Sequence, residues 1–187
     1  MLFRSLIRDG KPAKARHIQT TVDFKVDAYL PENYVTDSRM RMEIYKRIAD
    51  LSTDEERSDI IDELIDRFGE LPDAVETLLD IAQLRMNAGK LGITQVSYRK
   101  GGFLMMKIDT DNMPEDRFFF DAMIWADKRL MPSSKLPNVL LMVDPRLNEY
   151  GMLQESMKAL TRLNGRIAEM RAAEEAELAA AQENQQG

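Results

Sequence analysis

Ile93-Thr94-Gln95-Val96-Ser97-Tyr98-Arg99-Lys100-Gly101-Gly102-Phe103-Leu104-Met105-Met106-Lys107-Ile108 is the stretch on which the fold turns. Ile93–Tyr98 and Phe103–Ile108 are two short runs with strand character. They flank Arg99-Lys100-Gly101-Gly102, whose paired glycines can take the positive φ values that a tight turn demands, so a β-hairpin is expected. Between Pro72 and Gly92 the apolar period is helical, and beyond Gly92 it changes.

Working back toward the N-terminus, Val75, Leu78, Leu79, Ala82 and Met86 recur at helical spacing, with Pro72 suited to the first turn and Gly89 or Gly92 to the stop. Before them, Thr53 and Glu56 form a capping-box pattern that opens a second helix. Its apolar stripe is Ile60, Ile61, Leu64, Ile65 and Phe68, with Leu64, Ile65 and Phe68 assigned to the core, and Gly69 supplies a left-handed stop. Asp37 can cap a third helix, carrying Met40, Ile44, Tyr45, Ile48 and Leu51 on one face. Val22, Phe24, Val26 and Ala28 alternate with polar residues, the pattern of a half-buried strand, and Pro31 ends it. The opening, Met1–Gln19, reads as a short helix end followed by a linker.

Toward the C-terminus, Pro114–Leu130 places Phe118, Phe119, Ala122, Met123, Ala126 and Leu130 on one helical face, with Trp125 near its edge. Val139–Val143, bounded by Pro137 and Pro145, reads as a buried strand. Leu153, Met157, Leu160 and Leu163 mark a last core-facing helix. From Arg166 the chain is rich in Ala and Glu, with high helix propensity and few large side chains to bury, so residues 166–187 are expected to form a frayed or disordered tail. The fold class is therefore α+β: a small mixed or antiparallel sheet flanked by several amphipathic helices.

The 187 residues, 44% of them apolar, can close one substantial core. A formal net charge of -6 argues against a broad phosphate-neutralising surface, so direct nucleic-acid binding is not expected. Without cysteine there is no thiolate nucleophile or disulfide framework, which fits a reducing cytoplasm. No stretch reaches the length of a membrane span. The single histidine, His17, has no catalytic neighbour in the sequence, and phosphate-loop, dinucleotide-binding and nucleophile-elbow motifs are absent. Asp109, Asp111 and Asn112 resemble the start of a calcium loop but lack its glycine and distal glutamate. No catalytic residue, cofactor or metal site is expected.

The second helix does carry an informative pattern. Asp59, Asp62, Glu63 and Asp66 fall at three- and four-residue steps and project together from one face. Acids in a last helical turn oppose the helix dipole by about 0.3–1 kcal/mol each at an exposed site. Like charges four apart cost about 0.2–0.5 kcal/mol more. This placement against local preference points to a basic partner, and a solvated acidic face is the competing reading.

Several blocks occur in series: Val26-Asp27-Ala28-Tyr29-Leu30-Pro31-Glu32-Asn33-Tyr34-Val35, Ile44-Tyr45-Lys46-Arg47-Ile48-Ala49, and Glu63-Leu64-Ile65-Asp66-Arg67-Phe68-Gly69-Glu70-Leu71-Pro72. Leu78-Leu79-Asp80-Ile81-Ala82-Gln83-Leu84-Arg85 and Lys90-Leu91-Gly92-Ile93 continue the series. In this order they resemble the C-terminal domain of bacterial transcription-repair coupling factors. The resemblance implies that 1–20 is a linker from an upstream motor region and 21–165 a regulatory domain. It implies an autoinhibitory role: packing on a UvrB-like module of the same parent protein, masking a UvrA-binding surface, and restraining an ATP-dependent translocase in transcription-coupled nucleotide excision repair. ATP and magnesium would belong to the parent's motor, and UvrA and RNA polymerase would be indirect partners. By the same resemblance Glu63 and Asp66 are contact acids, with Asp62 and Asp59 beside them. A free-standing acidic adaptor acting in trans is the alternative that the residues leave open.

Overall fold

The computed structural model describes residues 19–109, 111 and 116–183. The 1–20 linker up to residue 18, His17, Asn112 and Pro114 lie outside the described residues. The elements run β1 (Thr21–Asp23), α1 (Ser38–Ala49), α2 (Asp54–Phe68), α3 (Asp73–Lys90), β2 (Ile93–Arg99), β3 (Phe103–Ile108), α4 (Asp116–Ala126), β4 (Leu130–Pro132), β5 (Val139–Val143) and α5 (Glu149–Glu183). The sheet is mixed, in the order β1-β2-β3-β5-β4, with β1 parallel to β2 and the other pairs antiparallel. The architecture is α+β.

The hairpin forms as its glycines require: β2 and β3 pair antiparallel, and Gly101 and Gly102 sit at φ 91° and 74°. The caps form as well. Asp37 accepts the Met40 amide at 2.8 Å, and Thr53 and Glu56 complete a reciprocal capping box. The Glu56 carboxylate also takes the amide and hydroxyl of Ser52, which hold it below its ordinary pKa. Thr53→Ala removes the bond to the Glu56 amide and is expected to cost about 1 kcal/mol, read from the urea midpoint. Gly69 stops α2 at φ 86°, and Gly92, at φ 74°, follows the end of α3.

Two apolar cores result. One joins the inner sheet face (Val96, Leu104, Met106, Leu140 and Met142) to α3, α4 and α5. The other gathers Ile44, Ile48, Ile60, Leu64, Val75 and Leu79 from α1, α2 and the first half of α3. Helix α3 belongs to both. Arg57 of α2 bonds Asp80 of α3 at 2.9 Å, Gln154 of α5 bonds the other oxygen of Asp80, and Arg85 donates to the Ala49 carbonyl at 2.7 Å. The two cores are thereby tied through polar contacts as well as through the shared helix.

Three expectations need correction. The N-terminal strand is hydrogen-bonded only over Thr21–Asp23, although side chains keep alternating between exposed and half-buried through Tyr29. Alternate burial needs only an extended backbone. Beyond Asp23 the amides find other acceptors: Lys25 donates to the Glu149 carboxylate, Tyr29 to the Ala74 carbonyl, and Leu30 to the Tyr45 hydroxyl. The helix expected to reach Leu130 ends at Ala126, because the Asp127 carboxylate captures the Arg129 amide at 2.9 Å and turns the chain. Leu130 still reaches the core, from β4, a strand too short to show a period of two. Ile65, assigned to the core, is 46% exposed, because the buried arc of α2 is centred on Ile60 and Leu64.

Helix α5 continues through the Ala- and Glu-rich segment to Glu183, with Ile167 buried and Met170 packed against the sheet core. Among the described residues, no helix is long and apolar enough to cross a membrane.

Candidate protein-docking face on helix α2

The face is built by a helix whose inner side is anchored three ways. Ile60 and Leu64 fill the second core, Tyr34 donates to the Leu64 carbonyl at 3.1 Å, and Arg57 holds Asp80. A helix fixed along that side must present Asp59, Asp62, Ile65 and Asp66 outward, and all four are exposed.

Glu63 behaves differently from its neighbours. Arg47 of α1 reaches one carboxylate oxygen at 2.6 Å and Arg67 the other at 2.7 Å, leaving the side chain one-third exposed. The Arg47 hydrogen bond first, and then that of Arg67, hold the Glu63 carboxyl below its ordinary pKa. Arg67 lies 5.3 Å from the Phe68 ring centre and 3.2 Å from the Met40 sulfur, so its role is local. The basic neighbour that the acidic pattern called for is, at Glu63, part of the same domain. The spacing of four to Arg67 is a signal visible in the sequence, whereas Arg47, sixteen residues away, becomes a partner only when α1 packs beside α2.

Among the described residues, Asp59, Asp62 and Asp66 make no side-chain hydrogen bond or ion pair. With Ile65 they form a surface of unneutralised carboxylates around one exposed apolar side chain. Next to it lies an open hollow of about 290 Å³ lined by Arg47, Asp50, Glu56, Asp59 and Ile60. Three carboxylates around one guanidinium would accept a Lys or Arg from outside. Among the described residues, no group of three or more metal-ligating side chains gathers anywhere.

A second charged cluster escaped the sequence reading. Arg129 bonds Asp127 at 2.7 Å, Asp144 at 3.1 Å and Glu155 at 2.8 Å, while Arg146 closes on Asp144 at 2.9 Å. It clasps the start of β4, the end of β5 and α5 together, and its role is structural.

The family model described as the TRCF domain matches residues 24–117. The transcription-repair-coupling factor of Escherichia coli (strain K12) is 47% identical over 87 residues, which is 46% of this chain and 8% of that protein. That of Bacillus subtilis (strain 168) is 40% identical over 81 residues, 43% of this chain and 7% of that protein. The chain thus spans a small fraction of these relatives. A crystal structure of the C-terminal domain of transcription-repair coupling factor shares the fold. Its TM-score is 0.71 at 23% identity, with 83% of this chain and 99% of that chain covered.

Proposed function

Because this chain belongs to the TRCF-domain family, a domain of transcription-repair coupling factors and not itself their motor, we propose that it acts as an autoinhibitory clasp. It packs on the UvrB-like module of its parent protein, covers the surface through which that module engages UvrA, and restrains the translocase until RNA polymerase is bound. The observation that carries this reading is the outward acidic face of α2, where Asp59, Asp62 and Asp66 have no cationic partner among the described residues and surround exposed Ile65. Such a face suits a basic, partly apolar surface, with Ile65 inserted and carboxylates on the rim. Glu63 contributes by orienting Arg47 and Arg67 more than by direct contact.

The clasp works as a population shift. A closed state favoured by about 2 kcal/mol leaves the open form at a few per cent, and polymerase binding opens it only through higher affinity for the open form.

The test is calorimetric titration of this chain with the UvrB-like module. Asp62→Lys with Asp66→Lys is expected to weaken binding roughly tenfold or more, with a larger difference at low salt because the Debye length is longer there. The circular-dichroism spectrum should not change, since both side chains are exposed. Unchanged affinity would rule the face out.

A further inference from the structure

We infer that the outer face of the sheet is a second docking surface, for an acidic amphipathic helix of a partner protein. Helices α3, α4 and α5 cover only the face bearing Val96, Leu104, Met106, Leu140 and Met142. On the opposite face, register aligns Phe103 with Val143, and Met105 with Leu141 and then Met131. Phe103 and Met131 are 44% and 45% exposed, and Met105, Leu141 and Val143 are half-buried. An antiparallel sheet with one wet face ordinarily alternates apolar-in with polar-out, so a cross-strand apolar stripe on the outer side is a departure that calls for an occupant.

Charge identifies the occupant. In a chain of net charge -6, this face carries exposed Arg99 in register with Phe103, and exposed Lys107 in register with Gln95 and Val139. Lys100 in the β2–β3 turn and Lys135 in the β4–β5 connection are exposed at its opposite ends. None of the four makes an ion pair among the described residues. Of the strand residues in register on this face, only Asp23 is acidic.

Size points the same way. Three strands at roughly 4.8 Å spacing give a stripe about 10 Å across, the diameter of one helix. Strand addition is disfavoured, since edge strand β4 has three residues and ends in Pro132. Among the strand residues in register here Phe103 is the one aromatic ring, and methionines adapt to apolar side chains better than they stack on bases.

The test uses the full chain and a fluorescein-labelled peptide of residues 54–68, an acidic amphipathic sequence, followed by fluorescence anisotropy. A scrambled peptide of the same composition and a dodecameric oligo-dT serve as competing probes. Binding of the peptide over the scramble is expected, weakened roughly tenfold by Phe103→Ser with Lys107→Glu. Both residues are exposed, so circular dichroism checks that the variant still folds. Equal affinity for the scramble, or an unchanged double variant, overturns the proposal. Oligo-dT binding in place of the peptide reassigns the face to nucleic acid. Concentration-dependent sedimentation that the variant abolishes, without peptide binding, reassigns it to a second copy of the chain; both outcomes overturn the proposal.

Discussion

Gly102→Ala is expected to lower the stability of the domain by about 2–5 kcal/mol, from the left-handed penalty of about 1–2 kcal/mol and overpacking of about 1–3 kcal/mol. Gly102 has φ +74°, and a Cβ there would lie 2.0 Å from the Asp144 carbonyl oxygen and 2.8 Å from the Pro145 Cα. Both are backbone atoms and cannot swing aside. The contact is close because the Asp144 amide donates to the Gly102 carbonyl at 2.9 Å, tying the β2–β3 turn to the end of β5. Gly101→Ala provides the control: its φ is +91°, but the nearest atoms are in the Phe103 ring at 3.6 Å. Only the backbone penalty of about 1–2 kcal/mol applies there. Urea denaturation of the two variants should separate them clearly, and equal losses would show that the close approach to Asp144 does not matter.

Arg129→Met is expected to lower the melting temperature by several degrees at pH 7, with the gap closing as the solution is acidified. Arg129 is the cation shared by Asp127, Asp144 and Glu155. Burial works to raise the Asp127 carboxyl, but hydrogen bonds from the Arg129 side chain and amide outweigh it and leave the group below its ordinary pKa. Arg146 is the main cause of the depression at Asp144, with Arg129 adding to it, and Arg129 followed by Lys158 depresses Glu155. A carboxylate with a depressed folded pKa stabilises the fold at pH values above its unfolded pKa, about 4 for Asp and Glu. That contribution is lost as pH falls through the lower folded value. The wild-type protein should therefore lose stability steeply below about pH 4, while the variant, with less to lose, declines more gently. Melting curves from pH 7 down to pH 3 test this, and a gap independent of pH would assign the loss to packing of the Arg129 stem.

The two charged regions differ in what they can do. The Arg129 cluster is closed on itself and half-buried, so it holds β4, β5 and α5 in place. The outer carboxylates of α2 are fixed by the helix but left without cations among the described residues, which suits them to an external partner. With the apolar, basic-edged sheet face, the domain would carry two surfaces of opposite charge.

Much of this was legible locally. The capping box at Thr53, the Asp37 cap, the glycine turn between β2 and β3 and the helical stripes depend on groups within about four residues of one another, so spacing alone determines them. The family blocks, and the acidic character of α2, were likewise present in the order of residues. Tertiary structure alone decided which acids remain available: Arg47 neutralises Glu63 across sixteen residues, while Asp59, Asp62 and Asp66 stay unpaired among the described residues. It also decided that Ile65 faces water, that Leu130 enters the core from a strand, and that Arg129 reaches Glu155 across 26 residues. The reason is that burial and charge pairing depend on which elements pack side by side. That arrangement is set by the closure of the two cores as wholes, and no local window contains it.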